Sequence, residues 1–320
     1  MPKKLLGSVL ILVVVFTAAG LVWTNRYNIY DWSRLRNYTA PADVAALASN
    51  SGMDSYGRRL FYVNEPKISD RTTFNSECKS TEQTIVLGCY TGTNIYVFKV
   101  DDPKLSGVQE VTAAHEMLHA AYQRLSAKDK EHVNTLLQAA YKRINDPRLT
   151  DVMASYQKTE PGEQDNELHS ILGTEYANLG PELEQYYQKY FTDRAKVVAL
   201  ANSYKKVFDD ITNQVQKYDA DLVLRKAEIT KREAELDALE KSLATQKSQM
   251  DSLLNSGQTR AYNNQVPSYN SAVNSYNNEV ALVKRLIDQY NKIVETRNSL
   301  ALQQQGLAQS LDSRVNAIAH

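Results

Sequence analysis

Between residues 202 and 320 the chain places an apolar residue at every seventh position, and that spacing leaves it few folds. Val215, Leu222, Ile229, Leu236, Leu243 and Met250 form one register. Val266, Val273, Val280, Ile287 and Val294 form a second, and Tyr269, Tyr276, Val283 and Tyr290 follow its first four members by three residues. A repeat of 3.5 residues keeps an apolar stripe on one helix face, and such a stripe buries itself against another helix. The stretch 255–267, "NSGQTRAYNNQVP", breaks the repeat and carries Gly257 and Pro267. The pattern predicts two helices folded back as an antiparallel coiled-coil hairpin, each arm ~80 Å long at 1.5 Å per residue. A parallel dimer of long rods satisfies the same repeat, so an oligomer formed through the coiled coil stays open.

The opposite end of the chain obeys a different constraint. Residues 5–23, "LLGSVLILVVVFTAAGLVW", contain no charge, and Lys3 and Lys4 precede them. About 20 apolar residues span a bilayer as a helix, and flanking lysines stay in the cytoplasm. The expectation is a cytoplasmic tip at 1–4, a single-pass signal anchor at 5–23, and everything after it outside the cytoplasm. "TAAG" at 17–20 offers a cleavage site for the alternative, a removable signal peptide. Leu21, Val22 and Trp23 carry the apolar run past it and favour retention at the cell membrane. Lysine plus arginine equals aspartate plus glutamate, at 37 each. That balance provides no basic surface for nucleic acid.

Residues 24–201 read as an α+β domain. "APADVAALAS" is a short helix, "GRRLFYVNEP" and "TIVLGCY" are strand-like, and "IYVFKV" (95–100) is the clearest strand. "TGTN" at 91–94 turns "TIVLGCY" back on it, so a small antiparallel sheet is expected. Helices follow at about 108–125, 126–144, 166–179 and 181–200, the second opened by Ser126 and Asp129 in a capping-box pattern. Cys78 and Cys89 are the only cysteines. An even pair in an exported chain reads as a disulfide.

The chemistry concentrates in "VTAAHEMLHA", residues 111–120. On a helix, positions i and i+4 share a face, so His115 and His119 can aim two imidazoles at one cation. Zinc takes imidazole nitrogen readily, and a catalytic zinc has three protein ligands. Glu116 projects beside them, suited to act as general base rather than ligand. Helix 108–125 also has a packing stripe of Val111, Leu118, Tyr122 and Leu125.

His-Glu-x-x-His on a helix preceded by a strand resembles the zincin metallopeptidases, in which an edge strand binds extended substrate above the metal. No histidine follows at metzincin spacing, so the likeness is to the gluzincin branch, which takes a glutamate from a later helix. "DNELHSILGTEY" (165–176) supplies Glu167 in an Asn-Glu-x-x-Ser context like that of thermolysin-like enzymes, and Ser170 is small enough for close helix packing. Ile171 stands where those enzymes carry an aspartate, so that link is absent or replaced. The resemblance implies Zn2+ held by His115, His119 and Glu167. Glu175 lies on the apolar stripe of the same helix and is the supporting residue or the alternative ligand. Tyr156, Tyr122 and His169 are near enough in sequence to stabilise an oxyanion.

These features together imply a membrane-anchored, extracytoplasmic zinc metalloendopeptidase. Its zincin-like domain would span 24–201 and its coiled-coil hairpin 202–320. Its partners would be a peptide or protein substrate and the membrane. The competing class is a cell-envelope coiled-coil scaffold whose zinc site is structural or vestigial.

Overall fold

The computed structural model describes residues 16–17, 19–78 and 86–314. Most of the apolar run at 5–23 lies outside these residues, and no helix among the described residues is long and apolar enough to cross a membrane. The chain divides into two compact units. One holds the described residues up to 207 together with 307–314, and the other is 208–306.

The first unit opens with α1 (Arg26–Leu35), α2 (Ala42–Asn50) and α3 (Ser55–Tyr62). The third of these corrects the sequence reading, which made "GRRLFYVNEP" strand-like. Asp54 accepts a hydrogen bond from the Gly57 amide at 2.7 Å and so caps a helix start. The buried residues Gly57, Leu60 and Phe61 follow the helical spacing i, i+3, i+4. Aromatic and β-branched content alone could not reveal that period.

The sheet contains β1 (Lys67–Ser69), β2 (Gly88–Tyr90) and β3 (Ile95–Phe98), in spatial order β1-β3-β2. The β2–β3 hairpin is antiparallel as expected, with Cys89 opposite Tyr96. β1 pairs in parallel with β3, so the sheet is mixed rather than antiparallel. "IYVFKV" therefore supplies the central strand, and β1 and β2 are the edges. Between β1 and β2 comes α4 (Arg71–Glu77). Cys78, just after it, is joined to Cys89 on β2, with Cα atoms 5.9 Å apart.

The remaining helices are α5 (Val108–Gln123), α6 (Ala127–Tyr141), α7 (Pro147–Thr159), α8 (Gln164–Glu175) and α9 (Pro181–Tyr187). Ser126 caps α6, its hydroxyl accepting from the Asp129 amide at 3.2 Å and donating to the Asp129 carboxylate at 2.6 Å. The sequence reading missed α7, which Asp146 starts by accepting from the amides of Arg148 and Leu149. The expected helix at 181–200 is two pieces, because α9 ends at Tyr187 and the next helix begins at Arg194.

Helix α5 is the centre of this unit. Val111, Ala113, Ala114, Met117, Leu118, Ala120 and Ala121 bury almost its whole circumference, as a helix enclosed on all sides requires. Alanines let its neighbours approach closely. Helix α8 comes nearest, because Gly173 faces Leu118 and Tyr187; a β-carbon there would lie 2.7 Å from the Tyr187 ring. The small residue permitting this approach is Gly173, while Ser170 is fully buried beside it. Arg194 then ties down the end of α8, its guanidinium donating to the carbonyls of Leu172, Gly173 and Tyr176. These are carbonyls that a helix end leaves without intrahelical partners.

In the second unit, α10 (Arg194–Asn255) and α11 (Thr259–Leu311) supply two antiparallel arms. Leu222, Ile229, Leu236, Leu243 and Met250 are half-buried or buried, as are Tyr269, Tyr276, Val283 and Tyr290. Ion pairs cross from Arg232 to Glu279 at 2.8 Å and from Arg297 to Asp219 at 2.9 Å. The hairpin differs from the sequence reading at three points. Helix α10 starts at Arg194, not near 202, and Ile287 is the most exposed of the predicted seam residues at 36%. The break is also much shorter than 255–267. Gly257 has φ +74°, and the amides of Gly257 and Gln258 bond the carbonyls of Leu254 and Leu253, a helix stop of the Schellman type. Pro267 sits inside α11, where a proline forgoes one helical hydrogen bond and its ring crowds the preceding turn.

Because the second unit closes its seam within one chain, fragment 208–306 should be strongly helical and monomeric on its own. Circular dichroism should be unchanged by chelator, and sedimentation should give the monomer mass. A dimer would favour the parallel-rod arrangement instead.

Candidate metal centre

The turn spacing of α5 places His115 and His119 side by side, with their Nε2 atoms 3.0 Å apart. Glu167, near the start of α8, faces both. One carboxylate oxygen lies 3.5 Å from His115 Nε2 and the other 3.4 Å from His119 Nε2. All three groups offer ligand atoms within 4.8 Å of one another. Zinc–nitrogen bonds of about 2.0–2.1 Å at tetrahedral angles put neighbouring ligand atoms about 3.3 Å apart. The observed separations fit that edge length, so the three residues suit a small divalent ion.

The next layer of residues orients these ligands. Asn166 Oδ1 lies 3.0 Å from His119 Nδ1, and the Asn166 amide nitrogen donates to Glu163 at 2.9 Å. That donation turns the Asn166 carbonyl toward the imidazole, so Nδ1–H is the donor and Nε2 faces the cluster. Asp165 accepts from Asn134 and Gln138 of α6 at 2.7 and 2.8 Å, which secures the first turn of α8. The sequence reading quoted Asn166 within its motif but assigned it no role, because nothing in the sequence said which imidazole nitrogen it would meet.

Electrostatics within the cluster are strongly coupled. Burial disfavours the His119 imidazolium, but the hydrogen bond it donates to Glu167 and the charges of Glu116 and Glu167 outweigh it and push its pKa up to about 9. His115 moves the same way, against burial, through Glu167. Burial would raise the Glu167 carboxyl, yet the two imidazoles hold it well below the usual range. The carboxylate is thus ionised across the physiological range.

Glu116 is 5% exposed and borders the same cavity, of about 690 Å³. It lies under strand β2. A β-carbon on Gly88 would stand 2.6 Å from its carboxylate oxygen and 2.5 Å from Thr112. Glycine at the first residue of β2 is what gives this carboxylate room. Tyr156 also lines the cavity, as do Leu87 to Thr91, Val111, Val152 and Tyr204.

Three other candidates stand outside the cluster of three. Glu175 lines the same cavity, but its carboxylate binds Arg148 and Lys205, both at 2.5 Å. A carboxylate on an apolar stripe needs a partner, and here it has a pair of cations. His169 is wholly buried and not a wall of the cavity, which removes it as an oxyanion stabiliser. Its Nε2 meets the Tyr186 hydroxyl at 2.9 Å, and rings of Tyr122, Tyr186, Tyr187 and Tyr190 enclose it. Burial first, then the charges of His119 and His115, lower its pKa to about 3, so it is a neutral packing residue. Tyr122 donates to Asn134 at 2.9 Å and stacks beside His169, which commits it to packing as well.

No family profile, curated protein or solved structure matches this chain, so the reading of the site rests on its own residues.

Two outcomes follow from this geometry. Asn166→Ala should weaken zinc binding by about 10–100-fold, the usual cost of losing a residue that orients a ligand; competition with a chromophoric chelator measures it. Zinc added to this group of residues would also have to displace the proton that His119 holds below pH about 9. Apparent zinc affinity should therefore climb as pH rises from 6.5 toward 9, by about tenfold per unit for one displaced proton. An affinity independent of pH would contradict the coupling described.

Proposed function

We propose that this protein is a zinc-dependent metallopeptidase. The observation that carries the reading is the convergence of His115, His119 and Glu167 beside the buried Glu116, in a cavity bordered by the edge strand β2. Zinc held by the three residues would supply Lewis-acid polarisation of the scissile carbonyl. Every other contribution comes from the chain. Glu116 takes a proton from the attacking water and hands it to the leaving amine, the general base becoming the general acid. Its position beneath Gly88, one residue along the helix from His115, brings it to the same mouth of the cavity. Tyr156, on the cavity wall, would donate to the developing oxyanion.

Substrate binds as an extended peptide along β2, not along β3. Only β2 borders the cavity as an edge strand, and an edge leaves backbone donors and acceptors for an added strand. The peptidase is exported and attached to the cell membrane by residues 5–23. The uncharged run behind Lys3 and Lys4 and the Cys78–Cys89 disulfide support that location.

Zinc content and peptide cleavage, measured together on four variants, test the chemistry. Glu116→Gln should retain near-stoichiometric zinc and lose about 10²–10⁴-fold in activity, because an amide cannot accept the proton. His119→Ala and Glu167→Ala should lose zinc and activity together, while Glu175→Ala should retain the metal. A parent protein that binds no zinc, or a Glu116→Gln variant that cleaves at the parent rate, would overturn the reading in favour of the envelope scaffold.

A further inference from the structure

Helix α1 has two faces with different tasks. Its inner face is fastened to the first unit. Asp31, 2% exposed, accepts from Arg124 at 2.8 and 3.0 Å and from Arg59 at 2.7 Å. Arg34 donates to the carbonyls of Val63 and Thr93 at 3.1 and 3.0 Å. A carboxylate this enclosed, held by two guanidiniums, fixes the rotation of the helix about its axis.

That rotation turns Ile29, Trp32 and Arg36 outward together, as positions i, i+3 and i+7 must. Ile29 is 49% exposed and Trp32 65%. The arginines accompany the aromatic rings: Arg36 lies 5.3 Å from the Trp32 ring, and Arg26 lies 4.8 Å from the Trp23 ring. The only acidic residue of α1 is Asp31, which points the other way. The outer face is therefore tryptophan, isoleucine and arginine without a carboxylate.

We propose that this face lies on the lipid surface, so that the first unit rests on the membrane through α1. Tryptophan favours the headgroup level, and arginine offers donors to lipid phosphate. The face is short, about two helical turns from Ile29 to Arg36. It also continues from the uncharged run 5–23, so it rests on the reading of that run as an anchor but not on the peptidase chemistry. Asn25 separates α1 from the helical turns before it, with φ −100° and ψ 10°, so α1 is not obliged to prolong their axis. A straight continuation away from the membrane would instead lift Trp32 about 14 Å beyond Trp23, at 1.5 Å per residue.

The same contact bears on the metal centre. Arg124, which grips Asp31, immediately follows α5, five residues after His119. A membrane-bound α1 would hold the candidate site at a set height and favour peptide segments close to the bilayer.

Trp23 and Trp32 are the only tryptophans, which makes the test direct. The full chain carrying Trp23→Phe is reconstituted into vesicles of zwitterionic and anionic phospholipid, leaving Trp32 as the sole fluorophore. Flotation with the vesicles first checks the anchor; a protein that stays out of them overturns both the anchor and the proposal. In floated protein, Trp32 emission should fall at least about twofold with lipids brominated near the headgroup, and acrylamide should quench it little. Adding Ile29→Asp and Arg36→Glu should restore acrylamide access while flotation persists. Trp32 quenched by acrylamide but not by bromolipid would overturn the proposal and leave the anchor standing. Trp32 protected from both quenchers would point to a protein partner and would overturn it equally.

Discussion

The first unit depends on one close approach, that of α8 to α5. Gly173 lets the two helices meet at Leu118, and Tyr187 closes over the contact. A side chain at 173 would force them apart by its own width. Glu167 is six residues earlier on α8, and its distance from the imidazoles of α5 is set by this packing. Arg194 reinforces it by taking up the last carbonyls of α8. A contact with no chemistry of its own thus sets the spacing of the candidate metal centre.

Three ionisable groups packed together inside a protein are costly unless each answers another. Here the carboxylate of Glu167 answers two imidazoles, and Asn166 orients one of them. The arrangement contrasts with His169, two residues along α8 from Glu167. Enclosed by tyrosines and far from any carboxylate contact, it stays neutral. Identical side chains on neighbouring elements behave in opposite ways because burial is compensated in one case and uncompensated in the other. Glu175 illustrates the same rule with the sign reversed, since Arg148 and Lys205 satisfy it locally.

Strand β2 links this core to its surroundings. The disulfide from Cys89 to Cys78 holds the strand from one side, and pairing with β3 holds it from another. Its first residue, Gly88, is shaped by what lies beneath it, the carboxylate of Glu116. Ser313 donates to the Val86 carbonyl at 2.6 Å just before the strand, so the segment after the second arm returns to the same edge. A three-residue strand has little stability alone, and these attachments compensate for its shortness.

The sequence by itself determined whatever depends on local period. The heptads named both arms of the hairpin and most of the seam, and the i, i+4 histidines named the metal-site helix, because helical geometry acts over a few residues. The turn at 91–94 and the Ser126 cap were legible for the same reason. Only the tertiary structure decided the rest. It chose Glu167 over Glu175 as the carboxylate beside the histidines, since both lie on one helix and only packing tells them apart. It made "GRRLFYVNEP" a helix and placed β3 at the centre of the sheet, because β1 arrives in parallel from a distant part of the chain. It gave Gly88 and Gly173 their purpose, which is the exclusion of a β-carbon from contacts between elements far apart in sequence. Local spacing records which face a residue occupies; which partner meets that face is settled by long-range packing.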